Sequence, residues 1–89
     1  MKKNLNITVK GMVQGVGFRY HTLVVAMNFG INGYARNRHD GSVFIEAEGE
    51  EEQLKLFVEW CSKGPARAIV ENVIVQPGLI SEYKSFTIK

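Results

Sequence analysis

Leu5, Ile7 and Val9 alternate with Asn6, Thr8 and Lys10. That period of two predicts a half-buried strand over residues 5–10. The alternation breaks at "GMVQGVG", and from Phe18 onward the period lengthens. Phe18, Thr22, Val25, Ala26 and Phe29 fall on one side of a predicted helix over 18–29, which Gly30 stops. "INGYARN" predicts a second strand over 31–37, and Asp40-Gly41 marks a hairpin turn. "SVFIEAEG" predicts a third strand over 42–49. Val43, Ile45 and Ala47 face one way there, and Phe44, Glu46 and Glu48 face the other. Glu50, Glu51 and Glu52 open a second helix, because carboxylates favour the positive end of the helix dipole. Leu54, Phe57, Val58 and Cys61 form its apolar stripe, and Gly64-Pro65 ends it. "AIVENVIVQ" predicts a fourth strand over 68–76, and "SFTIK" a short final one over 85–89.

The order β-α-β-β-α-β plus a tail strand defines an α+β class. Two right-handed β-α-β crossovers joined by a hairpin give the ferredoxin-like sandwich: an antiparallel four-stranded sheet with both helices on one face. Many functions share this fold, so it decides none of them.

The chain of 89 residues is read as a single domain over 1–89, and its 45% hydrophobic content is ample for a core. A net charge of +2 with scattered basic residues argues against broad nucleic-acid binding. The single cysteine, Cys61, excludes an intrachain disulfide. The opening "MKKNLNITVK" has charged residues like a signal peptide's, but Asn4, Asn6, Thr8 and Lys10 interrupt any apolar core. No run approaches the roughly 18 apolar residues of a membrane span. A cytoplasmic, soluble monomer without nucleic-acid or membrane partners is expected.

"KGMVQGVGFRYHT" sets Gly11, Gly15 and Gly17 before Arg19 and the first helix. Glycines allow a sharp bend or a close approach. A helix N-terminus behind such a turn can aim several N–H groups at one anion. Arg19 in the first turn adds a planar, permanently charged fork that suits phosphate oxygens. Asn37 shares the parity of Ile31 and Ala35, so it points to the helix side at the same end of the sheet. In the usual strand order the third strand lies between the first and second, leaving a gap of roughly 10 Å for the loop and Arg19 to bridge. The loop is neither a Walker sequence nor a dinucleotide fingerprint. On physical grounds alone, an anion cradle and a β-bulge and tight turn with a solvated Arg both remain open.

Taken together, "GMVQGVGFRYHT" and "GINGYARNRHDGSV" resemble the two signatures of the acylphosphatase family, V-Q-G-V-x-F-R and G-x-x-G-[WY]-x-x-N-x-x-D-G-x-V. The later "GPARAIVENVIV" and "FTIK" also fit, so the resemblance spans nearly the whole chain. It implies hydrolysis of the carboxyl–phosphate bond of acyl phosphates without a cofactor or metal. It implies that Gln14, Gly15, Val16, Gly17 and Phe18 form the phosphate-holding loop and that Arg19 is the phosphate-binding catalytic arginine. It assigns Asn37 to positioning the attacking water. Inorganic phosphate or sulfate would be site ligands. Phe44 departs from the pattern, since many bacterial members carry Glu there, and this bears on the outer sheet surface rather than on catalysis. Tyr34 and Ala35, where many members have Trp and Val, are milder variations.

The remaining polar residues have plainer readings. His39 and Asp40 suit a solvated hairpin turn. His21 is placed for packing or exposure, and two isolated histidines with one cysteine do not make a metal site. Thr22 is placed either to support the loop from beneath or to pack the helix. Cys61 completes an apolar stripe, as a small core residue does. An RNA-recognition module shares this topology but needs exposed aromatics on its first and third strands. Here the outer face offers Asn6, Thr8, Lys10 and one aromatic, Phe44, beside Glu46 and Glu48, whose charge repels a phosphate backbone.

Overall fold

A computed structural model describes residues 1–89. Its elements are β1 (Lys2–Met12), α1 (Phe18–Phe29), β2 (Asn32–Asn37), β3 (Val43–Glu50), α2 (Glu51–Lys63), β4 (Ile69–Pro77) and β5 (Phe86–Ile88). They form one five-stranded sheet in the order β4-β1-β3-β2-β5. The first four strands pair antiparallel, as the ferredoxin-like reading requires. The tail strand joins them: β5 pairs parallel with β2, with Gly33 opposite Phe86 and Ala35 opposite Ile88, so the whole sheet is mixed.

One apolar cluster fills the space between the sheet and the helices. Ile7, Val9, Ala35, Ile45 and Ala47 come from the sheet, Phe18 and Ala26 from α1, and Leu54, Phe57 and Cys61 from α2. Removing a Leu- or Phe-sized side chain from water in this way stabilises the fold by about 1.5–3 kcal/mol each. The predicted stripe on α2 is thus the one that packs. Burial pushes the Cys61 thiol well above the ordinary thiol range, so it stays protonated and inert.

β1 is longer than its apolar alternation indicates, because its ends are held by backbone pairing that runs from Lys2 opposite Glu50 to Met12 opposite Ile69. The register with β4 shifts between Lys10 and Gly11. At that bulge Gly11 has φ 131°, and a Cβ there would overlap the Ile69 carbonyl oxygen. Gly11 therefore serves a close approach of two strands.

The outer sheet face differs from the open surface expected from strand parity. Between β4 and β5 the chain crosses from one edge of the sheet to the other, and residues 78–85 lie over that face as a strap. The Gly78 N–H donates to the Asn4 carbonyl on β1. Glu48 on β3 accepts from the Ser81 and Tyr83 N–H groups, and the Asn32 side chain on β2 donates to the Tyr83 carbonyl at 3.0 Å. Glu48 is consequently 1% exposed, not solvated. Phe44 does face away from the core. It is half-buried under the Arg38 guanidinium, whose central carbon lies 4.1 Å from the ring centroid.

Candidate active site

β1 and β2 both end at the same edge of the molecule, and α1 begins there. Gly15 and Gly17 carry the chain from β1 into α1 with φ 75° and 78°, left-handed values that glycine adopts without a Cβ penalty. Nothing stands within 4 Å of a Cβ built at Gly15, so conformation rather than crowding selects glycine there. Gly17 is the N-cap of α1, and no side chain caps the helix. The first turn also has no acidic residue. Its free N–H groups and the positive end of the helix dipole therefore remain available to an anion.

The loop is braced from two sides. The Gln14 side-chain amide donates to the Arg38 carbonyl at 2.7 Å and to the Ser42 carbonyl at 2.9 Å, tying the loop to the β2–β3 turn. Thr22, fully buried, donates its hydroxyl to the Phe18 carbonyl at 2.7 Å beneath the first helical turn. The turn itself is closed by Asp40, whose Oδ1 accepts from the Ser42 hydroxyl at 2.6 Å and the Ser42 N–H at 3.0 Å. Those two bonds, the hydroxyl first, hold the Asp40 carboxyl below the usual carboxylate range.

A pocket of about 170 Å³ opens above the loop, lined by Val13, Gly15, Gly17, Phe18, Arg19, Tyr20, Asn37 and Ile88. Arg19 is its one charged residue. The Arg19 Nη1 donates to the Lys89 backbone oxygen at 3.0 Å, which fixes one arm of the guanidinium and leaves the other donors free. Five residues singled out from the sequence thus meet: Gly15, Gly17, Phe18, Arg19 and Asn37. Phe18 also belongs to the core, with its ring centroid 5.5 Å from that of Trp60. Gln14 and Val16 are not in the lining. The Gln14 side chain is the brace just described, and Val16 is packed against the core cluster. His39 and Asp40 stay in the hairpin turn, and His21 lies outside the pocket.

Val13, Tyr20 and Ile88 in the lining and the Lys89 backbone oxygen were not singled out in the sequence. Ile88 and the Lys89 backbone oxygen reach the site only because β5 pairs parallel with β2, and the Lys89 N–H donates to the Ala35 carbonyl at 2.9 Å. A three-residue strand carries too little pattern to announce its partner. Tyr20, 60% exposed, follows Arg19 directly and lies off the apolar side of the helix. No group of three or more His, Cys, Asp or Glu side chains gathers to hold a metal. No helix is long and apolar enough to cross a membrane.

The fold and pocket define a ferredoxin-like α+β protein with a cationic, amide-rich cradle at one end of its sheet. The acylphosphatase family profile matches residues 5–88. A relative from Thermotoga petrophila, named acylphosphatase, is 52% identical over 87 residues, covering 98% of this chain and 97% of that relative. The solved acylphosphatase of Coxiella burnetii superposes with a TM-score of 0.96 at 31% identity, covering 99% of this chain and 93% of that one. That of Bacillus subtilis gives 0.95 at 37% identity, covering 100% and 99%. The chain belongs to the acylphosphatase family, and it is a hydrolase.

Proposed function

We propose that the protein hydrolyses the carboxyl–phosphate bond of small acyl phosphates, releasing a carboxylate and inorganic phosphate, by the following division of labour. The amides of the Gln14–Phe18 loop and of the α1 N-terminus, with the Arg19 guanidinium, hold the phosphoryl oxygens. Asn37 orients the attacking water. The observation that carries this reading is the meeting of Arg19, the uncapped start of α1 and Asn37 around one pocket.

The chemistry needs little more. A carboxylate is already a good leaving group, so the enzyme has to neutralise phosphoryl charge and hold water in line with the breaking bond. The Asn37 carboxamide can accept from water through its carbonyl and donate through its NH₂. It is no general base, so the water's proton passes to a phosphoryl oxygen of the substrate. An acid–base dyad is therefore not required, and neither His39–Asp40 nor the buried Cys61 is needed.

The test is release of phosphate from acetyl or benzoyl phosphate, with inorganic phosphate and sulfate as competitive inhibitors. Hydrolysis should persist unchanged in excess EDTA. Loss of activity in EDTA that a divalent ion restores would overturn the metal-free mechanism. Inhibition by phosphate without any turnover would make the domain a binding module.

A further inference from the structure

Glu48 has no part in the chemistry above, yet it is the most thoroughly bonded carboxylate in the molecule. It accepts from the Asn4 side chain at 2.8 Å, from the Tyr83 N–H at 3.0 Å and from the Ser81 N–H. Asn4, itself 3% exposed, lies beside it on β1. A Cβ at Gly78 would overlap the Asn4 carboxamide, so the strap begins with the residue that permits its close approach. Each successive strand then fastens the strap: β1 through the Asn4 carbonyl, β3 through Glu48, and β2 through Asn32 and through the Gly33 N–H, which donates to the Ser85 carbonyl. Beyond Ser85 the chain runs only through β5 before reaching the pocket. There Ile88 lines the wall and the Lys89 backbone oxygen holds Arg19 Nη1.

We propose that Glu48 is a positioning residue for the active site, acting through the strap and β5 to hold Arg19 in its phosphate-gripping orientation. This rests on the assignment of Arg19 to phosphate binding. A side chain as long as Arg carries considerable rotamer freedom, and fixing one of its arms in advance reduces what binding must supply. The Lys89 backbone oxygen does that fixing. It can do so only while β5 is seated, and β5 is three residues long, too short to hold its place by pairing alone. Phe86, 7% exposed, anchors one end in the core. Glu48 anchors the chain that leads to it. Its carboxylate suits this because both oxygens accept, Oε2 from Asn4 and Ser81 and Oε1 from Tyr83, whereas a carboxamide of the same shape would turn its NH₂ toward one of these donors.

The test measures the inhibition constant of inorganic phosphate in E48Q and in N32A, at a temperature where circular dichroism shows each protein fully folded. C61A, which destabilises the core without touching the strap, is the comparator, and R19K is the control for the site itself. The phosphate constant should rise about fivefold in E48Q and about twofold in N32A, with KM rising in step and kcat changing less, as expected for lost preorganisation. It should stay at the parental value in C61A. If E48Q does not fold, E48D takes its place: it keeps the charge but draws the accepting oxygens back from the Ser81 and Tyr83 N–H groups, and the same rise is expected. Parental constants in the strap variants, with a raised constant in R19K, would overturn the role of Glu48 and leave the site reading intact. A parental constant in R19K would overturn both.

Discussion

At the end of the sheet where β1 and β2 finish, Arg19 has a single hydrogen-bond acceptor within the protein. At the other end Glu48 has three donors and is almost completely enclosed. The two charges are treated in opposite ways by the same small fold. Arg19 stands beside glycines in left-handed conformations and an uncapped helix start, a set of groups whose bonding capacity is left unspent. Glu48 is surrounded by donors drawn from β1 and the strap, and both of its oxygens are engaged. A charge left partly unsatisfied beside other free donors is prepared for a ligand. A charge satisfied from within holds chain segments together. Family membership and charge content do not separate these roles, but the census of partners does.

The contrast can be broken most directly at Arg19. Arg19→Lys keeps the charge but loses the fork, and kcat/KM should fall by on the order of 10²–10³-fold. The unfolding free energy should stay within about 0.5 kcal/mol of the parent, as for a surface substitution. Near-normal kinetics would remove Arg19 from the site. Asn37→Ala should lower kcat by roughly 10²-fold, by analogy with losing one preorganised polar group. It should leave the phosphate inhibition constant nearly unchanged, and the reverse pattern would make Asn37 a binding or structural residue.

Glu48 should show the opposite profile. Glu48→Ala strands the Ser81 and Tyr83 N–H groups under the strap and leaves the Asn4 side chain only its bond to Glu46, at a cost of about 2–4 kcal/mol in urea unfolding. Loss of stability no larger than that of an exposed glutamate would show the latch to be slack. Cys61→Ala should cost about 1 kcal/mol by shrinking a buried side chain, with turnover intact. Abolished turnover in that folded variant would point to a thiol mechanism.

The smallest effect sharpens the comparison through pH. Burial alone would raise the Glu48 pKa, but the bonds from Ser81, Asn4 and Tyr83, with Lys2 nearby, outweigh it and hold it below the ordinary value. The folded state thus binds the proton less readily than the unfolded chain, where a glutamate titrates near about pH 4.3. The stabilisation from Glu48 is therefore complete above that pH and is lost as the pH falls through the lower, folded value. Midpoints of urea unfolding measured from pH 6 downward should decline in the parent and decline less in Glu48→Gln. Parallel acid limbs would rule out Glu48 as a contributor.

The two ends also differ in how far they could be read from the sequence. Alternation, helical spacing and glycine stops place α1 within its observed bounds and the strands to within a few residues, because those elements bury one face. Arg19 and Asn37 are legible because both lie at the ends of periodic elements whose topology brings them together. Glu48 is not. Strand parity turns it outward, and outward is ordinarily read as solvent. The strap that covers it, "GLISEYKS", has no period, and its bonds are backbone N–H groups that any sequence supplies. The brace from Gln14 was hidden for a related reason: it depends on backbone from a distant part of the chain. A β-bulge was one of the readings open for the glycine stretch, and it falls at Gly11.

The strand order has a consequence for how the protein is made. Of the five strands β1 is translated before the others, but it lies inside the sheet, between β3 and β4. Both of its hydrogen-bonding edges wait for partners that are translated later, and the second partner ends only at Pro77. Synthesis therefore presents an apolar strand whose neighbours do not yet exist, and an N-terminal fragment lacking β4 cannot complete the sheet. Pairings this distant in sequence are slow to close, because chain entropy is lost before any contact compensates for it. Throughout that interval Ile7 and Val9, fully buried in the finished molecule, are exposed to whatever else in the cell binds an unpaired strand.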